Sequence, residues 1–293
     1  MKRGTIKEKI AFGIISLISA LSLWFTTFIG AQKMYPLNDE ECMRILFLGD
    51  SNYAYEYDGY TIPQRIGEAL NAEIYNCAVG GTTAAKLPTA DYIDTKMDMF
   101  CLHNMVRLME TSDLQSVRDF HGIFNDYEYH GLIKATILTD IDLKEMDYIV
   151  ISYGVNDYTS GLPLHSENDY DEKTYTGALR KAIERIQNLC PDAKIILSSI
   201  TYCALINEKD YQDGYEVSWG GGTIDEYRDA MQLVATEYKN VYFIDNLNEL
   251  PIAYENFEQY LSDGLHLNAT GQQVYAEHFV SLIKEIESDV NEK

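Results

Sequence analysis

The chain has 293 residues, 46 acidic against 23 basic, for a formal net charge of −23. Such an acidic surface repels phosphate backbones, which excludes nucleic acid as a partner, and it disfavours docking on anionic phospholipid headgroups. Cys42, Cys77, Cys101, Cys190 and Cys203 are scattered without a CxxC pair and odd in number, so neither a zinc cluster nor a fully paired disulfide framework is indicated.

Lys2, Arg3, Lys7 and Lys9 stand against Glu8 in residues 1–9, a basic tail directly ahead of Ile10 to Ala31, 22 positions without a charge. At about 1.5 Å per residue this stretch is long enough to cross a bilayer core. The basic start predicts a cytoplasmic amino terminus, a single transmembrane helix over 10–31 and a cell-membrane protein whose main domain is extracytoplasmic. A cleaved signal peptide would have a shorter apolar region of roughly 7–15 residues and a small-x-small site, only weakly suggested at Gly30-Ala31; the domain would then be secreted. Residues 32–43 read as a short tether to a domain over 44–293, which is long enough for one α/β unit.

Arg44 to Leu48 reads as a short buried strand that stops at Gly49-Asp50-Ser51. Ile62 to Leu70 is an amphipathic helix with Pro63 in its first turn, and Glu73 to Val79 a second strand closed by Gly80-Gly81. From about 82 to 145 the pattern is mostly helical and far longer than one crossover helix, which predicts a helical insertion overhanging the carboxyl end of the sheet. Tyr148 to Tyr153, Lys194 to Ile200 and Val241 to Ile244 are further strands; Tyr175–Leu189, Ile224–Tyr238 and Ala269–Ile286 are helices. Thr201 to Gly222, rich in Tyr and Gly, reads as a mobile flap. Five apolar strands alternating with helices predict a three-layer α/β/α sandwich around a central five-stranded parallel sheet.

In such a sheet, ligands bind at the carboxyl ends of the strands. Ser51 follows the first strand, Gly80 and Gly81 the second, Asn156 the third, and Asp263 and His266 precede the last helix. Ester hydrolysis by serine needs a nucleophile, a base, a group to orient that base and donors for the oxyanion, and these residue types could supply all four. Asp263 and His266 form the only Asp-x-x-His in the chain, a spacing that lets the carboxylate fold back onto the imidazole. Asp263 read blandly is a turn or capping residue.

Four blocks resemble those of the SGNH (GDSL-type) hydrolase family, in that family's order: Gly49-Asp50-Ser51, Asn76-Cys77-Ala78-Val79-Gly80-Gly81-Thr82, Gly154-Val155-Asn156-Asp157 and Asp263-Gly264-Leu265-His266. The resemblance spans about residues 44–285. It implies Ser51 as nucleophile, His266 as base and Asp263 as its orienting carboxylate, with an oxyanion hole from the Ser51 N–H, the Gly81 N–H and the Asn156 amide. Block alignment favours Gly81, though the adjacent Gly80 leaves that choice open. Asp50 and Asp157 are expected to bond local N–H groups rather than take part in chemistry.

Gly-x-Ser-x-Gly, HExxH, the P-loop pattern and GxGxxG are missing, so no metal or cofactor is expected. The resemblance implies a serine esterase acting through an acyl-enzyme. The predicted extracytoplasmic position points to acyl groups on cell-envelope or environmental glycan, and Tyr153, Tyr158, Tyr202 and Tyr211 are candidates to stack on sugar rings. An O-acyltransferase using the same acyl-enzyme and a non-catalytic envelope binding module are the alternatives.

Overall fold

A computed structural model describes residues 42–87, 96–119, 126–207 and 210–291. The predicted tail, membrane span and most of the tether lie outside the described residues. Among the described residues no helix is long and apolar enough to cross a membrane.

Five parallel strands form the central sheet: β1 (Arg44–Gly49), β2 (Glu73–Asn76), β3 (Tyr148–Ser152), β4 (Lys194–Ser198) and, last in the chain, β7 (Val241–Ile244). Two more, β5 (Ala204–Asn207) and β6 (Asp210–Asp213), make a separate antiparallel hairpin. The order across the main sheet is β2-β1-β3-β4-β7. From β1 the chain steps out to β2 and then crosses back to β3, so the winding reverses between β1 and β3. That reversal opens a crevice at the carboxyl ends of two neighbouring strands. Register pairs Gly49 with Ser152, bringing the two strand ends level.

Ile45, Phe47, Leu46 and Leu48 are all fully buried, as both faces of a central parallel strand must be. Helices flank the sheet in two groups. Helix Ile62–Leu70 lies along the closing helix Ala269–Asn291, whose Phe279 meets Phe47 of β1 with ring centroids 5.8 Å apart. The first of these helices starts where a capping box places it, with Thr61 and Gln64 exchanging side-chain and backbone hydrogen bonds beside Pro63.

The other group is built from helices Leu102–Thr111, Tyr175–Leu189 and Ile224–Thr236, packed in that sequence. Arg185 forks onto both carboxylate oxygens of Glu110 at 2.7 and 2.5 Å, joining the first two of them. Leu102, Met105, Val106 and Leu108 are fully buried, so part of the predicted insertion belongs to the flank of the sheet. Its longest helix, Asp126–Asp140, packs against Leu102–Thr111 and reaches β2, where the Lys134 ammonium donates to the Asn76 carbonyl at 2.8 Å.

Two elements differ from the sequence expectation. The second strand ends at Asn76, yet the backbone beyond it still follows β1, with Cys77 N–H bonded to Phe47 O and Val79 N–H to Gly49 O. The segment 201–222 contains the β5/β6 hairpin and is tied down rather than free. The Tyr158 hydroxyl donates to the carbonyls of Gly214 and Val217, Tyr202 Oη to Asp213, and Tyr254 Oη to Tyr211 O. All five cysteines are free thiols, four of them buried.

Candidate active site

Ser51 opens a four-residue helix, Ser51–Ala54, immediately beyond β1. Asp50 caps that helix by accepting from the Asn52 N–H at 3.1 Å, which fixes the direction in which the chain leaves the sheet. The serine is 3 % exposed and looks out along the rim of the crevice. Tyr53 anchors the same helix from below: its hydroxyl meets Tyr275 Oη at 2.7 Å, and Tyr275 meets Ser198 Oγ at 2.5 Å. Asn246 Nδ2 donates to Ser198 Oγ at 2.9 Å. This buried network joins the serine helix, the end of β4 and the closing helix.

His266 comes from the opposite end of the chain, on the turn before that closing helix. The turn is shut by Ser262 N–H bonded to His266 O at 2.8 Å and Asn268 N–H to Tyr260 O at 2.8 Å. Gly264 sits at its tip with φ +82°, and a Cβ there would lie 2.2 Å from Ala204 O. Only glycine fits this approach, which lets Ala204 N–H at the root of the hairpin bond Gly264 O at 2.7 Å.

The imidazole bridges the two halves. His266 Nδ1 lies 2.7 Å from Asp263 Oδ2, and His266 Nε2 lies 2.9 Å from Ser51 Oγ. A carboxylate can only accept, so Nδ1 donates to it and Nε2 of the neutral ring accepts the Ser51 proton. Asp263 Oδ1 also takes the N–H groups of Leu265 and His266 at 3.0 and 2.8 Å. Partial burial disfavours the Asp263 charge, but these three N–H donors outweigh it and hold the carboxyl below its usual range.

Of the expected oxyanion donors, Asn156 stands in the first turn of helix Val155–Thr159 beyond β3. Its Nδ2 donates to Thr82 O at 2.9 Å, which uses one amide hydrogen and aims the group. Gly81 has φ +72°, and the adjacent Gly80 brings its backbone so close that a Cβ there would lie 3.5 Å from Ser51 Cβ. The turn 80–82 therefore touches the Ser51 side at one end and Asn156 at the other.

Asp50 bonds a local N–H as expected, whereas the backbone partners of Asp157 are distant in sequence. Asp157 is fully buried and its two oxygens accept from Ala84 and Ala85 N–H at 2.9 Å each, which fastens the segment after Gly81 to the end of β3. Burial raises the Asp157 carboxyl to about 6 against the pull of those N–H groups, and raises Asp50 to about 7. Among the described residues no cluster of His, Cys, Asp and Glu could hold a metal ion.

Residues 47–274 match the GDSL-like lipase/acylhydrolase family. The chain belongs to that family. No curated protein matches the chain. Solved structures share the fold of these hydrolases at low identity. A protein from Lactobacillus plantarum is 17 % identical with a TM-score of 0.57, over 84 % of this chain and 99 % of its own. A possible lipase from Chitinophaga pinensis is also 17 % identical, with a TM-score of 0.53 over 84 % and 99 %. A family two carbohydrate esterase from Clostridium thermocellum, in complex with cellohexaose, is 16 % identical with a TM-score of 0.50 over 86 % and 67 %.

Aromatic residues around this hydrolase-like site depart from the sequence expectation. Tyr153, Tyr158 and Tyr202 are buried and cannot meet a sugar, and Tyr211 packs its ring on Phe257 with centroids 4.8 Å apart. Residues near strand ends in an α/β sheet are as often roofed by loops as exposed, and periodicity does not separate the two. Tyr55 was missed. It caps the serine helix, its N–H bonded to Ser51 O, and its ring lies against the His266 ring with centroids 4.9 Å apart. At 47 % exposure it is the solvent-facing aromatic wall of the site. The one sequence signal was its place four residues after the serine, one helical turn away.

Proposed function

We propose that this protein is a serine esterase of the SGNH type that hydrolyses acyl esters through an acyl-enzyme on Ser51. The observation that carries this reading is the relay from Ser51 Oγ through His266 to Asp263, at 2.9 and 2.7 Å. Family membership supports an acyl-transfer reaction independently of those distances.

In this reading His266 Nε2 takes the proton as Ser51 Oγ attacks the acyl carbon. The carbonyl oxygen becomes an oxyanion met by the backbone N–H groups of Ser51 and Gly81 and by the Asn156 amide. His266 returns the proton to the departing alcohol oxygen, leaving the acyl-enzyme. Water enters, gives a proton to His266 and attacks the same carbon; the acid leaves and Ser51 recovers its proton. Asp263 keeps the ring in the required tautomer and offsets the imidazolium charge.

The substrate class we favour is O-acyl groups on carbohydrate or cell-envelope glycan. Tyr55 supports it, because an exposed ring beside the nucleophile suits the apolar face of a sugar. The likeness in fold to a carbohydrate esterase solved with cellohexaose is compatible with it. The uncharged stretch 10–31 supports a cell-membrane position with the esterase domain outside.

The test is acid release from acetylated xylan and from 4-nitrophenyl acetate by the chain and by Ser51→Ala. Release by the wild type alone is expected. Equal release by both would sink the proposal, and transfer to an added sugar outrunning release would make the enzyme a transferase.

A further inference from the structure

A cavity of about 190 Å³ opens beside the turn that carries Gly80 and Gly81. Its floor is apolar, from Ala54, Ala78 and Val79, and the site side is formed by Tyr55 and Gly80. The Tyr55 ring lies against His266, and a Cβ at Gly80 would reach Ser51, so the cavity continues the reaction site toward β2. A space of this size admits a short acyl chain.

The far wall is the helix Asp126–Asp140, which contributes Lys134 and His130. An ammonium has three N–H donors, and the hydrogen bond to Asn76 O uses one. Among the described residues no carboxylate lies within ion-pair distance of Lys134 Nζ. The Cys77 thiol nearby does not neutralise it, since burial raises that thiol to about 12. Burial disfavours the Lys134 charge and lowers its pKa, while Cys77 and Glu56 oppose that effect. His130 stands one turn earlier on the same face, at the exposed mouth of the cavity. A cation without an ion-pair partner in a largely apolar cavity is costly unless an anion completes it.

We propose that this cavity binds an anionic group of the substrate, a carboxylate, with Lys134 as its counter-ion, so that the enzyme prefers esters carrying a negative charge a few atoms from the scissile carbonyl. The proposal rests on the esterase reading for its setting, although the anion site can be tested apart from it. The carboxylate belongs either to the acyl group, as in a dicarboxylic half-ester, or to the alcohol, as in an acylated uronic acid. An apolar floor suits the methylenes of a short acyl chain, and the part-buried ammonium then pairs with its distal end.

The test compares mono(4-nitrophenyl) adipate with 4-nitrophenyl hexanoate, of equal chain length, on the full chain, Lys134→Met and Lys134→Arg. The expected result is a wild-type preference for the adipate half-ester in kcat/KM, reduced at least about tenfold in Lys134→Met and largely retained in Lys134→Arg. The readout is the ratio of adipate to hexanoate kcat/KM within each variant, which loss of charge moves and loss of folding does not. A parallel pair, acetylated glucuronic acid against acetylated glucose, reads the alcohol side; a Lys134-dependent preference there supports the site and moves the carboxylate to the alcohol. No Lys134-dependent preference in either pair overturns the proposal. Calorimetric titration with adipate and with glucuronate keeps it falsifiable without turnover. Binding by the wild type but not by Lys134→Met supports the anion site even if no ester is cleaved, a result that would sink only the esterase reading. Binding of neither anion, with no ester preference, overturns the site.

Discussion

Two carboxyl groups flank the Ser51–His266 pair, and the fold treats them in opposite ways. Asp50, next to the serine, is 3 % exposed and accepts one local N–H, and burial raises it to about 7. The side chain of Asp263, next to the histidine in space, is 52 % exposed and accepts three N–H donors that hold it below the usual range. One is buried at the end of β1 as the cap of the serine helix, with a single N–H donor against its desolvation. The other sits in a short turn whose Leu265 and His266 amides point at it. Ionisation here follows the supply of donors rather than closeness to the site, and that difference separates the group that positions the chain from the group that orients the base.

The comparison can be broken most severely at the atoms that join its two sides. Ser51→Ala and His266→Ala are each expected to lower ester turnover by roughly 10⁴-fold or more, measured as kcat on a short 4-nitrophenyl ester. Asp263→Asn should cost roughly 10³-fold in kcat with KM little changed, because an amide can donate to Nδ1 and hold the ring in the wrong tautomer. A loss of less than tenfold would show that the two N–H donors of the turn matter more than the charge. On the acid side, the Asp263 charge that offsets the imidazolium is present above the ordinary carboxylate range and is lost only as pH drops through its depressed pKa.

Asp50→Asn sharpens the contrast through stability instead. The native chain holds the Asp50 proton more tightly than the unfolded chain does. Its contribution is therefore fully present below the ordinary carboxylate range and is lost as pH rises through about 7. Asparagine caps a helix as well as aspartate does, so the substitution keeps the cap and removes the charge. Urea unfolding should find the variant gaining on the wild type by roughly 1 to 4 kcal/mol between about pH 4 and 8. A pH-independent difference would mean that Asp50 is ionised at little cost. On the other side, Gly264→Ala meets Ala204 O and a positive φ, and should destabilise the chain by about 2 kcal/mol or more in the same assay. The smallest effect is expected for Tyr55→Ala, which removes one ring contact on His266 and should lower kcat roughly two- to tenfold.

Much of this was legible before any coordinates. The inner strands β1, β3 and β4 were readable as short apolar runs, because a strand buried on both faces asks for one. Ser51, Asp263, His266 and Asn156 could be named because each lies where a strand ends or a helix begins. The hairpin 204–213 escaped notice because its strands are short and half polar, stabilised by what they pack on rather than by alternation. Tyr55, Lys134 and the depth of Tyr153, Tyr158 and Tyr202 escaped for a related reason: exposure is a property of neighbours distant in sequence.

The amino-acid order by itself determined the parallel sheet, the segments that meet at its rim and the residue types available there, since these follow from local periodicity and from turn chemistry within a few residues. Only the tertiary structure decided that Ser51 and His266, 215 positions apart, stand at hydrogen-bond distance, and that Asp50 and Asp263 ionise differently. It also decided that Lys134 closes a cavity beside Gly80. Distances, desolvation and enclosure depend on segments brought together by packing, and no stretch of chain carries them alone.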